Sequence, residues 1–104
     1  MVQEITQISE VPQEGKVVID FHATWCGPCK RIAPLFQEIA GKYPQVSFFK
    51  VDVDEASELS EKFGIESLPT FVFLVNGKIT RRMEGANPNE LLSIVDALSE
   101  LGRV

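Results

Sequence analysis

The sequence is poor in cysteine, in basic charge and in long apolar runs. Cys26 and Cys29 are its only cysteines among 104 residues, too few for the disulfide framework with which small secreted domains replace a core. Fifteen acids against ten bases leave a net charge of −5. That sign is wrong for a surface that tracks phosphates or anionic lipid headgroups, so neither nucleic acid nor membrane is an expected partner. No apolar run approaches the roughly 18–20 residues of a membrane span. Met1–Glu10 carries acids and glutamines where an export signal needs basic and then apolar segments. The single histidine, His22, and the two thiols fall short of the four ligands of a structural zinc site, so no metal is expected. Together these absences point to a soluble, unprocessed cytoplasmic chain, with nuclear entry left open.

What remains is ordinary globular composition, 44% hydrophobic and 24% charged, enough for a packed core in one domain spanning residues 1–104. The patterning alternates strands and helices. Val2–Thr6 alternates as a short strand, and Gln7–Glu14 has too few periodic apolar residues for more than a helical turn. Lys16–Ala23 is a β-branched, nearly continuous apolar run that suits a central strand buried on both faces. From Cys26 the spacing changes. Ile32, Leu35, Phe36, Ile39, Ala40 and Tyr43 mark an amphipathic helix, with Pro34 inside it to bend the axis. Val46–Val53 is the next strand, which completes a right-handed parallel βαβ unit. Asp54 is placed to cap a short helix carrying Leu59 and Phe63 and closed by Gly64. Thr70–Val75 and Lys78–Met83 flank Asn76-Gly77, a strong hairpin signal, and so pair antiparallel. Asn87-Pro88-Asn89-Glu90 opens a last helix with Leu91, Ile94, Val95 and Leu98 on one face. The expected fold class is α/β: a mixed sheet of about five strands with helices on both faces.

Cys26-Gly27-Pro28-Cys29 falls where the buried strand gives way to a helix. Unpaired backbone N–H groups and the positive end of the helix dipole favour a thiolate at Cys26. Cys29, one turn further in, is expected to be less exposed and to resolve what Cys26 attacks. Pro28 fits the first turn, where its missing N–H has no partner, and Gly27-Pro28 should help set the redox poise. The same spacing also suits an inert buried pair.

The segment Asp20-Phe21-His22-Ala23-Thr24-Trp25-Cys26-Gly27-Pro28-Cys29-Lys30, with Ile32-Ala33-Pro34, resembles the active-site segment of the thioredoxin family, of the cytosolic eukaryotic type. Lys50-Val51-Asp52-Val53-Asp54, Leu68-Pro69-Thr70, Asn76-Gly77-Lys78 and Gly85-Ala86 extend the likeness over nearly everything after residue 15. The resemblance implies the thioredoxin fold and a dithiol that reduces protein disulfides while Cys26 and Cys29 become a redox-active disulfide. It implies that Asp20 is a buried base that takes the Cys29 proton, with Lys50 as its ammonium partner. An acid in an apolar strand fits that role, since desolvation raises its pKa. The resemblance further implies a cis Pro69 beside the dithiol, freeing the backbone of Leu68 to pair with an extended substrate. Trp25, Gly27, Pro28, Leu68, Pro69, Gly85 and Ala86 then form a flat apolar docking patch, and Thr70 joins them in binding substrate.

No cofactor is expected to be bound. The resemblance implies electrons from NADPH through a partner flavoprotein, thioredoxin reductase, disulfide-containing proteins as substrates, and a monomer. The alternatives are a disulfide oxidase or isomerase, and a non-catalytic thioredoxin-like binding subunit. His22 departs from the aromatic residue that many relatives carry there. It reads either as a hydrogen-bonded structural histidine or as a group that alters the pH response. The segment before Lys16 is shorter than the first helix of many family members.

Overall fold

The computed structural model describes residues 1–102 and shows how few of these elements stand alone. Strand β1 (Val2–Glu4) and a single 3-10 turn at Ile8–Glu10 precede β2 (Lys16–His22). Helix α1 (Gly27–Lys42), β3 (Val46–Asp52), α2 (Ser57–Lys62), β4 (Thr70–Val75), β5 (Lys78–Glu84) and α3 (Pro88–Glu100) follow. The sheet runs β1-β3-β2-β4-β5. Its first three strands are parallel, and β4 and β5 are antiparallel to their neighbours. β2 is therefore paired along both edges, parallel to β3 and antiparallel to β4. That position suits its nearly continuous apolar run, because neither face meets water.

Each face of the sheet has its own core. On one side Val18, Phe48, Phe71 and Phe73 pack against Ile32, Phe36 and Ile39 of α1 and Leu91, Val95 and Leu98 of α3. Phe36 anchors this side, its ring 5.5 Å from those of both Phe48 and Phe71. Removing so buried an aromatic typically costs about 3–5 kcal/mol. On the other side Val17, Ile19, Phe21, Val51 and Val72 meet Leu59 of α2 and Phe63 at its end. Helices thus cover both faces, with α1 and α3 opposite α2.

The turn chemistry follows the sequence at most corners. Asn76 (φ 51°) and Gly77 (φ 81°) both take the left-handed conformation that a tight two-residue hairpin requires. Asn87 caps α3 by accepting the Glu90 N–H at 3.1 Å. In the opening segment Glu10 Oε1 accepts the N–H groups of both Thr6 and Gln7 at 3.0 Å, which holds the one turn together. The long helix runs continuously through Pro34. Four expectations are corrected. β2 and β3 each end one residue early, at His22 and Asp52, and β1 ends at Glu4 rather than Thr6. Asp54 does not cap α2, whose N-cap is Ala56 with no side-chain bond. Asp52 instead folds the intervening turn, its Oδ1 accepting the Asp54 N–H at 2.9 Å and the Glu55 N–H at 3.4 Å. That leaves the Asp54 side chain free for a different partner.

Candidate active site

Where β2 ends, Ala23 (1% exposed) turns the chain, and its carbonyl accepts the Cys26 N–H at 3.2 Å. Cys26 is the N-cap of α1, and its Sγ accepts the Cys29 N–H at 3.2 Å. The two cysteines form a disulfide with Cα atoms 5.3 Å apart. Cys26 Sγ thus sits where an N-cap oxygen usually does, and a thiolate at that atom would keep the same N–H donor. The expected difference in exposure is absent. In the disulfide form Cys26 is 5% exposed and Cys29 4%, because the ring draws both sulfurs into one turn. What separates them is direction.

Cys26 borders a groove of about 430 Å³ lined by Trp25, Gly27, Pro28, Val53 and the run 65–68. Trp25 forms one wall and is 70% exposed, its Nε1–H donating to Asp54 Oδ2 at 2.8 Å. Leu68 forms the other wall, and the Leu68–Pro69 peptide is cis. Thr70 is fully buried behind this wall, its hydroxyl donating to the Ser67 carbonyl at 2.6 Å. Gly85 (φ 100°) is tied to the same loop, its N–H donating to the Pro69 carbonyl at 2.9 Å. Its positive φ is a conformation that residues with a Cβ rarely adopt.

Trp25, Gly27, Pro28 and Leu68 of the expected docking patch line this shallow groove. Pro69, Thr70, Gly85 and Ala86 stand behind or beside the groove, and Ala86 packs on the α1/α3 core. Sequence reasoning missed Val53, Ile65, Glu66 and Ser67 as lining residues. Only Ile65, an isolated apolar residue between Gly64 and Pro69, gave any hint.

Cys29 borders a different space, a cavity of about 350 Å³ shared with Asp20, His22, Ala23, Thr24, Lys30, Ala33 and Lys50. Asp20 is 4% exposed and lies in parallel register with Lys50. Burial strips its carboxylate of hydration and pushes its pKa up to about 7, against the opposing pull of the Lys50 ammonium. Its Oδ1 has no protein hydrogen-bond partner.

His22, two residues on and half-buried, is held below its ordinary pKa by desolvation, against the attraction of Asp52 and with repulsion from Lys50. Its Nε2, like Asp20 Oδ1, is buried with no protein hydrogen-bond partner. The carboxylate across from it, Asp52, spends Oδ1 on the turn to α2. Among the described residues no three His, Cys, Asp or Glu side chains come together to hold a metal ion, and no helix is long and apolar enough to cross a membrane.

The arrangement is a reversible dithiol with an apolar approach on one side and a buried acid on the other. A sequence-family model described as Thioredoxin matches residues 3–97. Thioredoxin-1 of Saccharomyces cerevisiae is 42% identical over 89 residues, 86% of this chain and 86% of that protein. Thioredoxin-1 of Schizosaccharomyces pombe is 42% identical over 101 residues, 93% of this chain and 98% of that one. Among solved structures, the oxidised thioredoxin of Plasmodium falciparum superposes with a TM-score of 0.88 at 42% identity, covering 95% of this chain and 99% of the other.

Proposed function

The chain belongs to the thioredoxin family and is a thiol–disulfide oxidoreductase that reduces protein disulfides, and from that premise we propose how its residues divide the work. In the reduced protein the Cys26 thiolate, held at the N-terminus of α1, attacks one sulfur of a substrate disulfide. The other substrate sulfur leaves as a thiolate, and a mixed disulfide joins Cys26 to the substrate. Asp20 then takes the proton of Cys29. The Cys29 thiolate attacks Cys26 Sγ, the remaining substrate sulfur leaves, and the Cys26–Cys29 disulfide closes. Two electrons have passed from the dithiol to the substrate, and the departing thiolates take their protons from solvent.

The observation that carries this reading is that the two cysteines border different spaces. Cys26 meets the groove and Cys29 meets the cavity that contains Asp20. Trp25, Gly27, Pro28 and Leu68 hold the substrate, whose extended backbone pairs beside Pro69, while Thr70, Gly85 and Ala86 fix the loops that form the far wall. Gly27 and Pro28 also tune the redox poise. Lys50 restrains the rise in the Asp20 pKa, so that the base is available near neutrality.

The single domain works as a monomer in the cytoplasm, binds no cofactor of its own, and is returned to the dithiol by NADPH through a flavoprotein thioredoxin reductase. The test is reduction of insulin disulfides by the reduced protein, together with a Cys29→Ser variant. Turnover in the parent and a stable Cys26-linked adduct in the variant are expected. Absence of both turnover and adduct would overturn the reading.

A further inference from the structure

Among the described residues, the two buried side-chain polar atoms without a protein partner are Asp20 Oδ1 and His22 Nε2. They belong to residues two apart on β2, hence on one face of the sheet, and both residues line the cavity that Cys29 borders. Buried polar atoms are as a rule hydrogen-bonded to protein or to ordered water. This pocket, about 350 Å³ and open to solvent, has ample room for water, which is held where two to four polar partners meet it. The cavity offers a carboxylate, an imidazole, the Thr24 residue and the Lys50 ammonium. One histidine nitrogen and one carboxylate oxygen are thus left over in the same pocket, and a water donating to both would satisfy them.

Building on the reading of Asp20 as the base, we propose that His22 is a positioning residue that holds, through Nε2, the water by which Asp20 passes the Cys29 proton to solvent. The S–H bond of Cys29 breaks, its electron pair stays on sulfur as the attacking thiolate, and the proton bonds to Asp20. Asp20 then gives that proton to the bridging water, which passes one of its own to a solvent water at the mouth of the pocket. The carboxylate and a neutral water are restored, and His22 is unchanged.

For Nε2 to accept from the water the ring must be neutral, with its proton on Nδ1. The surrounding charges permit this. Desolvation lowers the ring's pKa, Lys50 of β3 adds to the effect, and Asp52 of β3 and Glu4 of β1 oppose it. Asp20 on β2 and Lys30 and Cys29 on α1 complete the titratable groups around the same cavity.

The experiment follows the reduced protein reacting with 5,5′-dithiobis(2-nitrobenzoate) in stopped flow. One thionitrobenzoate leaves when Cys26 attacks, and a second when Cys29 resolves the adduct. His22→Leu should slow the second release about tenfold at pH 7 and leave the first unchanged. His22→Gln, whose amide reaches the Nε2 position, should recover most of the loss. If His22→Leu does not fold, His22→Asn, which stays polar but cannot reach that position, should show the same slowing.

Asp20→Asn run in parallel separates the two layers. A slowed second release in Asp20→Asn with an unaltered one in His22→Leu, or in the Asn substitute, across pH 6–9 would overturn the His22 assignment alone. An unaltered second release in Asp20→Asn would remove the base, and this proposal with it. A purely structural role for His22 predicts no rescue by Gln, and that result would also overturn the assignment.

Discussion

The two sides of the Cys26–Cys29 disulfide are built from opposite materials. The groove on the Cys26 side is walled by Trp25, Pro28, Val53, Ile65 and Leu68, and comes mostly from loops: the β2–α1 turn, the β3–α2 turn and the segment before β4. The pocket on the Cys29 side is closed by α1 and the β2–α1 turn, but its charged and titratable groups Asp20, His22 and Lys50 come from the central strands β2 and β3. Loops can vary to suit partners of many shapes, whereas a central strand fixes a buried charge to within a fraction of an ångström. The contrast teaches that an apolar groove and a pocket holding a buried acid are placed on the two sides of one covalent bond, and on the reading proposed above recognition and proton handling divide the same way. A change on one side should leave the other's step intact.

The largest break in that symmetry is expected from Asp20→Asn. Resolution by Cys29 should fall roughly 100-fold, as befits loss of a general base, while Cys26 attack keeps its rate. In the parent the resolution rate should climb through pH 7, where Asp20 loses its proton, and in the variant this rise should flatten. Equal pH profiles in stopped flow would show that the cavity side is inert.

The same substitution should stabilise the fold. With a native pKa near 7 against an ordinary value of 3.8, the unfolded carboxyl ionises first as pH rises. The protein therefore loses stability between about pH 4 and 7, and above that the penalty is constant, on the order of a few kcal/mol. Urea unfolding should place the Asp20→Asn midpoint above the parent at pH 8 and close to it at pH 4. Midpoints that fail to converge in acid would contradict the burial argument.

A smaller effect is expected on the groove side. Ile65→Asp places a charge on the far wall, and kcat/KM for a protein disulfide should fall about tenfold, the factor that about 1.4 kcal/mol of binding represents. Reaction with a small aromatic disulfide should barely change. Equal losses for both substrates would merge the two sides again. The smallest effect belongs to Asp54→Ala, which frees the Trp25 indole. An exposed hydrogen bond contributes about 0.5 kcal/mol, the low end of the usual range, so a two- to threefold rise in KM for protein substrates is expected. A shift in Trp25 emission without any change in KM would mean that the wall does not need its anchor.

Much of the scaffold was legible because it obeys local rules. The Asn76-Gly77 hairpin, the Asn87 cap and the burial of Lys16–His22 each follow from a few adjacent residues. The dithiol's place at the mouth of α1 was legible for the same reason. The failures concern atoms brought together from afar. Asp54 looks like a helix cap in sequence, yet its carboxylate meets an indole 29 positions away, a partner no local pattern announces. Ile65, Glu66 and Ser67 carry no periodicity and become groove lining only because Gly64 (φ 63°) and the Pro69 segment carry them alongside Cys26. Cys26 and Cys29 seemed unequal in exposure because the helical offset was counted and the contraction imposed by their bond was not.

β2 is hydrogen-bonded along both edges, to β3 and to β4, for nearly its whole length. A strand held this way does not fray, and its amides should exchange with deuterated solvent only when the whole sheet opens, among the slowest in the protein. Asp20 sits in the middle of that strand. A proton that leaves or reaches Asp20 during turnover must therefore travel through side chains and the neighbouring pocket, not through an opening of the backbone.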